Sequence, residues 1–303
     1  MTGDPPAYRG RFAPSPTGPL HLGSLYTALA SFLEARSRNG LWFVRIDDID
    51  TPRCVRGADA EILKTLEGFG LFWDGAVDYQ SEKLDVYQEA IDTLDTKGWV
   101  YPCICSRKTL AGTGPVYPGW CRNRTIDVSR PHALRVRTDS NTIGFDDRLQ
   151  GPFSLNLATS HGDFIVRRRD GIDAYQLTVV VDDQRTGITD VVRGCDLLDN
   201  TPRQIHLQKL LDLPTPDYCH IPVLVGPEGQ KLSKQTGAAP VNRSKPGPLL
   251  HYLLRLLGQD PPKELHRADP PEILSWATAH WRIDSIPKTR QIAIMATSLP
   301  DKW

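Results

Sequence analysis

Residues 14–19 read Pro-Ser-Pro-Thr-Gly-Pro. A segment with this much proline and glycine can be neither helix interior nor central strand, so it is a loop. Its flanks are then strongly constrained. Residues 9–13 before it read as a short extended strand. After it, Leu22, Leu25, Leu29 and Phe32 recur at helical spacing, and Gly40 closes the helical region. Residues 41–46, LWFVRI, form a strand of large apolar side chains. Strand, helix and strand at these lengths make a βαβ unit, which favours a parallel sheet and a crossover of fixed hand. The expected fold class is α/β.

Two more helices are expected. Ile62, Leu63, Leu66 and Phe69 make one apolar face; Tyr87, Ala90, Ile91 and Leu94 make the next, with Gly98 placed to stop it. From Tyr101 to about Leu157 the pattern changes to cysteines, glycines, prolines and short alternating pieces such as residues 133–138. That predicts an inserted subdomain of loops and short strands. Val179, Val180 and Val181 read as a buried strand ending in Asp182 and Asp183. Helical pattern resumes over residues 202–211, and residues 221–225 read as another buried strand before a glycine-rich loop. The end of the chain reads as helical, with Leu249, Leu250, Leu253, Leu254 and Leu257 on one stripe.

Composition narrows the class further. A chain of 303 residues holds one large domain with an insertion, or two modest ones. Its 36 acidic and 36 Lys/Arg residues cancel, which counts mildly against a nucleic-acid partner. The run Arg167-Arg168-Arg169 can supply phosphate contacts locally or can be a solvated face. No apolar stretch approaches the roughly 20 residues of a membrane helix. The first residues have neither the basic nor the apolar region of a signal peptide, so the expected location is cytoplasmic, with no membrane partner. Three of the six cysteines crowd between residues 103 and 121, which points to metal rather than disulfides and to a reducing compartment.

Three motifs carry chemistry. His21-Leu22-Gly23-Ser24 opens a helix after a strand and loop. Free N–H groups and the helix dipole there favour an anion, Gly23 allows close approach, and His21 can donate to a phosphate. Lys231-Leu232-Ser233-Lys234-Gln235 comes after a strand and a glycine-rich loop; its lysines can meet charge developing on an α-phosphate. Cys103, Cys105 and Cys121 suit a soft metal, with zinc the default for a tetrahedral sulfur-rich site. From chemistry alone the fourth ligand would be a histidine, and His132 is the nearest. Cys54, Cys195 and Cys219 read as packing residues. Trp276 and Trp281 read as core rather than as platforms for bases.

Taken together, Arg11-Phe12-Ala13-Pro14-Ser15-Pro16-Thr17-Gly18, His21-Leu22-Gly23, Val44-Arg45-Ile46-Asp47-Asp48 and Lys231-Leu232-Ser233-Lys234 resemble the catalytic core of the glutamyl- and glutaminyl-tRNA synthetases, with their HIGH and KMSKS motifs. The resemblance covers roughly residues 9–240. It implies a class I synthetase Rossmann-type parallel sheet in two halves, 1–100 and 186–240. Between them lies a zinc-containing acceptor-binding insertion at 101–185, and a small helical region comes last, at 241–303. The stretch beyond the lysine loop is too short for the anticodon-binding region of those enzymes. The short form with a cysteine-bearing insertion and a KLSKQ loop resembles the glutamyl-Q tRNA(Asp) synthetases.

That resemblance implies activation of L-glutamate by ATP with Mg²⁺ and without tRNA, then transfer to queuosine in the anticodon of tRNA(Asp). Charging of a tRNA 3′ end by a truncated glutamyl-tRNA synthetase is the alternative. A catalytically dead tRNA- or partner-binding paralogue is disfavoured by the intact His21, Gly23, Lys231 and Lys234. The resemblance further implies a monomer with one structural zinc on Cys103, Cys105, Tyr117 and Cys121. His21 and Lys234 are its expected catalytic residues. His21, Gly23, Ser24, Lys231 and Lys234 are its ATP contacts. Arg11, Phe12, Ala13, Pro14, Ser15, Asp47, Tyr175 and Arg193 are its glutamate contacts. One departure stands out: the family carries Glu where this chain has Asp47, shorter by one methylene. A retained role at the substrate ammonium, through a water or a small backbone shift, is expected.

Overall fold

A computed structural model describes residues 8–227, 229 and 241–294. The chain runs β1 (Arg9–Phe12), α1 (Leu22–Ser37), β2 (Leu41–Ile46), α2 (Ala58–Gly68), β3 (Asp78–Tyr79), α3 (Leu84–Thr96) and β4 (Val100–Cys103). It continues with β5 (Ala133–Val136), β6 (Thr142–Asp147), β7 (Gly151–Asn156), α4 (Leu157–Ser160), β8 (Phe164–Arg167), α5 (Tyr175–Arg185) and β9 (Asp190–Gly194). It ends with α6 (Thr201–Leu210), β10 (Asp217–Ile221), β11 (Val223–Val225), α7 (Pro246–Leu256), α8 (Pro270–His280) and β12 (Gln291–Ala293).

The βαβ expectation holds. β1, β2 and β3 are parallel neighbours in that order, and β9 pairs in parallel with β10. β9 lies beside β1: the Thr189 amide donates to the Arg9 carbonyl at 3.0 Å, and the Arg9 amide to Thr189 Oγ1 at 2.9 Å. From β1 the chain therefore moves to one side for β2 and later returns on the other side for β9. In an open α/β sheet, the crevice beyond the carboxyl ends of two such strands is where ligands bind. The proline-rich loop is fixed there through its carbonyls. Pro14 accepts from the Asp47 amide at 3.0 Å, and Pro16 from the Val55 amide at 2.9 Å.

The insertion is antiparallel, with a sheet β4-β5-β8 and a hairpin β6-β7. Two large apolar cores result, besides a small cluster of Tyr101, Cys103, Tyr117 and Cys121 in the insertion. One joins α1, β1, β2 and α2 to α7 and α8; the other joins α3, the insertion strands, α5 and α6. The stripe on α7 buries Leu249, Leu250, Leu253 and Leu254 in the first core. Trp276 and Trp281 pack against that core too, and Trp281 Nε1 donates to buried Glu34 at 2.7 Å, which fits packing rather than base stacking.

Two expectations need correcting. Val179–Val181 belong to helix α5, not to a strand. A short run of β-branched residues has no period of its own, and α5 is buried on nearly every side from Leu177 to Asp183, so no polar face marks it. Residues 221–225 are not one strand either. Pro222 cannot donate to a ladder and separates β10 from β11, which pairs with β12 instead. Among the described residues, no helix is long and apolar enough to cross a membrane.

Candidate active site

A cavity of about 390 Å³ opens beyond the carboxyl ends of β1 and β9. Arg11, Phe12, Ala13, Pro14 and Ser15 line one wall; His21, Gly23 and Ser24, at the start of α1, line the floor; Tyr175 and Arg193 face them. Ten of the residues singled out by the sequence thus converge on one space. Asp47 does not line it, and Lys231 and Lys234 lie outside the described residues.

His21 has the backbone of an N-cap, φ −104° and ψ 170°. Its Nδ1 accepts from the Ser24 amide at 3.3 Å, and its Nε2 lies 3.0 Å from Ser24 Oγ. The accepting Nδ1 puts the ring proton on Nε2, which donates to the hydroxyl. His21 is therefore both a helix cap and part of the cavity wall. No acidic residue occupies the first turn of α1, so the positive helix end faces the cavity undiluted.

Arg193 is held from behind. Its Nε donates to His220 Nε2 at 2.9 Å, and its Nη2 donates to Thr201 Oγ1 at 2.8 Å. Because an arginine only donates, His220 Nε2 accepts, and the imidazole proton lies on Nδ1. That nitrogen is 2.5 Å from Asp147 Oδ2. All three residues are buried. Asp147, His220 and Arg193 thus form a chain that fixes the guanidinium plane and leaves Nη1 buried without a protein partner. A buried guanidinium nitrogen without an acceptor, in the wall of a cavity, is suited to a carboxylate ligand. Gly194 keeps this wall thin: a side-chain carbon there would meet Asp196 Oδ1 at 2.5 Å and Val223 Cγ1 at 3.0 Å.

Burial pulls His220 down to about 4 from its ordinary 6.5, against the hydrogen bond to Asp147. The folded value lies below the unfolded one, so between them the unfolded chain binds more protons. The resulting stability is fully present above pH 6.5 and is lost as pH falls through 4. The shift corresponds to about 3 kcal/mol. A His220→Asn variant is expected to be less stable than wild type at pH 7. It is also expected to lose less stability than wild type between pH 7 and 4.5, by denaturant midpoints. Equal acid sensitivity would contradict this.

Under the cavity lies a second charged group. Arg45 is fully buried and reaches three carboxylates: Asp47 at 2.7 Å, Asp183 at 2.6 Å and Asp182 at 3.7 Å. Arg11 donates from Nε to Asp183 at 3.2 Å. Gln80 and Tyr87 donate to Asp182 at 2.7 and 2.9 Å. Burial pushes Asp47 up to about 6, although Arg45 opposes it. Burial also works to raise Asp183, but Arg11 and then Arg45 outweigh it and hold that carboxyl below its ordinary range. Asp47 is thus a hydrogen-bond acceptor for Arg45, its shorter side chain turned to the guanidinium two residues back.

In the insertion, Cys103, Cys105 and Cys121 place their sulfurs within 4.8 Å of one another. Tyr117 Oη lies 3.4 Å from Cys103 Sγ and 3.6 Å from Cys105 Sγ. Four soft or oxyanionic donors around one point fit a tetrahedral metal. His132 is half-buried and its Nδ1 lies 2.9 Å from the Arg130 carbonyl, apart from the three sulfurs, whereas Tyr117 stands beside them. Gly162 holds Tyr117 in place: its φ is +67°, and a side-chain carbon there would meet the Tyr117 carbonyl oxygen at 2.6 Å.

The family of class I tRNA synthetases (E and Q), catalytic domain, matches residues 7–113 and 121–256. The chain is 54% identical over 288 residues to a glutamyl-Q tRNA(Asp) synthetase of Methylococcus capsulatus, covering 95% of both chains. The chain belongs to the glutamyl-Q tRNA(Asp) synthetase family. A relative of that name from Aromatoleum aromaticum is 51% identical, over 94% of this chain and 92% of the relative. The glutamate-tRNA synthetase of Elizabethkingia anophelis shares the fold, with a TM-score of 0.82 at 24% identity, over 97% of this chain and 69% of that one.

Family membership puts the α/β parallel-sheet expectation on firm ground. Neutral total charge was a poor guide to a tRNA synthetase family. In the local basic run Arg167 pairs with Asp173 at 2.6 Å and Arg168 with Asp50 at 3.0 Å, and only Arg169 is left exposed without a carboxylate partner among the described residues. Sequence reasoning also missed Asp147, His220, Asp182 and Asp183. Only Asp182 and Asp183 carried a local signal: two adjacent acids directly after an apolar run.

Proposed function

We propose that this chain activates L-glutamate with ATP and Mg²⁺, without tRNA, and transfers it to queuosine in the anticodon of tRNA(Asp). The observation that carries this reading is the 54% identity across 95% of a relative named glutamyl-Q tRNA(Asp) synthetase. Relatives of that name are matched over 92–95% of their own length, which favours this reading over the alternative of 3′-end charging.

The geometry supports a definite division of labour. Glutamate lies in the cavity, with one carboxylate on Arg193 Nη1 and the neighbouring wall at Arg11, Ser15 and Tyr175. ATP places its phosphates before the start of α1, where His21, Gly23 and Ser24 present donors. Lys231 and Lys234 meet the α-phosphate. The glutamate α-carboxylate attacks that phosphorus in line, and pyrophosphate leaves. A ring hydroxyl of queuosine then attacks the mixed anhydride and AMP leaves. Catalysis is positioning and charge stabilisation throughout, with no covalent enzyme intermediate.

The insertion, read as residues 101–185, serves as the acceptor-binding part. Cys103, Cys105, Tyr117 and Cys121 would hold a zinc ion, which when bound ties the loops between β4 and β5 together and does no chemistry on the substrate. A Cys105→Ser variant is expected to fall from one zinc per chain to almost none by metal analysis, and to be cut faster by protease within residues 104–132. Full retention of zinc would remove Cys105 from the set.

The test of the first step is glutamate-dependent exchange of pyrophosphate into ATP with no RNA present. Exchange with glutamate, and not with glutamine or aspartate, is expected. Exchange that appears only on adding tRNA would overturn the reading in favour of the 3′-charging alternative.

A further inference from the structure

A second cavity, of about 330 Å³, lies in the insertion beside the cysteine cluster. Its walls include Tyr117, Arg135, His161, Asp163, Phe164 and Arg203. On this wall Arg203 lacks an anionic partner among the described residues. The Asp163 carboxylate is already committed: it accepts from Tyr101 at 2.6 Å and from the Thr138 amide at 2.8 Å, and it pairs with Arg122 at 3.4 Å. Arg135 has no carboxylate partner among the described residues; it donates to Cys103 Sγ at 3.3 Å and to the Asp163 carbonyl at 2.6 Å. Arg203 has none among them either. Asp199, close by, is exposed and paired with Arg290 at 3.7 Å.

Arg203 is half-buried, stands 5.9 Å from the centre of the Phe164 ring, and donates to Asn200 Oδ1. Its Nε is buried with no partner. Burial without a counter-charge pulls this guanidinium down from its ordinary range. A half-buried guanidinium with one nitrogen unpartnered and no counter-charge lines a wall suited to an anion.

Its place identifies the anion. Asn200 also accepts from Gln176 Nε2 at 3.0 Å, and Gln176 Oε1 is buried without a partner. Gln176 follows Tyr175 at the rim of the first cavity. A short network, Gln176–Asn200–Arg203, therefore runs from the glutamate side to the second cavity. An RNA strand crossing the insertion toward the first cavity along this network would bring its backbone within reach of Arg203.

We propose that Arg203 and the cavity behind it bind a phosphodiester of the RNA acceptor. The proposal rests on the function proposed above. A guanidinium with an unpartnered Nε suits a phosphate oxygen, and contacts of this kind position a strand without reading its sequence.

The test uses the full zinc-loaded chain and a labelled tRNA(Asp) anticodon stem-loop that carries queuosine. Binding is measured by fluorescence anisotropy across a range of salt. An Arg203→Met variant is expected to bind about tenfold more weakly, with the slope of log affinity against log salt reduced by about 0.7–1. Arg203→Lys keeps the slope and recovers most of the affinity. KM for ATP and for glutamate in pyrophosphate exchange, and zinc content, stay at wild-type values in both variants, which also shows that they fold. Unchanged stem-loop binding in Arg203→Met overturns the proposal. A changed KM for ATP, or changed inhibition by inorganic phosphate, with stem-loop binding intact, assigns the site to a free anion and overturns it too. If wild type itself transfers no glutamate to the stem-loop, the underlying function fails first, whatever residue stands at 203.

Discussion

Replacing Arg193 with methionine is expected to lower kcat/KM for glutamate in pyrophosphate exchange about 10²- to 10³-fold, mostly through KM. Methionine fills much of the arginine stem but removes the donors. The carboxylate then enters a wall that offers it no charge, and truncating one partner of a buried charged pair costs about 2–5 kcal/mol. His220 Nε2 and Thr201 Oγ1, both buried, each lose a donor, but they stay 3.1 Å from each other and Thr201 still reaches the Leu197 carbonyl, so the loss falls mainly on the substrate. Arg193→Lys keeps a charge yet cannot bond His220, Thr201 and the substrate from one plane, so it recovers only part of the loss. The comparison is made on variants that retain a cooperative melt. A change in kcat/KM of less than about threefold, well under 1 kcal/mol, would mean that Arg193 does not meet the substrate.

The largest effect on stability is expected at Arg45. Arg45→Leu removes the one guanidinium shared by Asp47, Asp182 and Asp183 and leaves three carboxylates in a space closed to water. Breaking a buried ion pair from one side costs about 3–5 kcal/mol. The pH dependence has a definite sign. Asp47 already has a folded value near 6, above its unfolded value of 3.8. Its contribution to stability is full below 3.8 and is lost as pH rises through the folded value. Without Arg45 the folded value rises further. The deficit of the variant relative to wild type should therefore be greatest above pH 7 and shrink on acidification toward pH 5, measured by urea midpoints. A deficit that grows on acidification would contradict the account, because it would mean that these carboxylates are stabilised by something other than Arg45.

These two predictions also mark what the sequence could and could not reveal. Elements with a clear period were legible: residues 41–46 form the strand expected of them, and the leucines beyond Gly247 lie on one buried face of α7. So was the convergence of the proline-rich loop, the His21 helix start, Tyr175 and Arg193, since the resemblance carried them as one set. The failures were of two kinds. Helix α5 was misread because burial on all sides erases the polar face from which a helix is recognised, and valine triplets suit a strand equally well. The supports of the site were missed because they are pairings at long range. Asp147 and His220 meet across the insertion and β10, and Arg45 meets Asp182 and Asp183 across α5. Apart from the adjacent acids at 182 and 183, nothing local to these residues announces a partner. The Arg45 partner of Asp47 was likewise not read from its motif, which directed attention to the substrate ammonium.

The central claim concerns the acceptor, and one experiment addresses it directly. The enzyme, ATP, Mg²⁺ and radiolabelled glutamate are supplied with an anticodon stem-loop of tRNA(Asp) that contains queuosine and has no CCA end, and with a matching stem-loop that carries guanosine. Label on the queuosine stem-loop alone is the predicted result, and it excludes 3′-end charging as the sole activity. No label on either, with pyrophosphate exchange intact and full-length tRNA labelled at its 3′ end, would contradict the account and make the chain a short tRNA-charging enzyme.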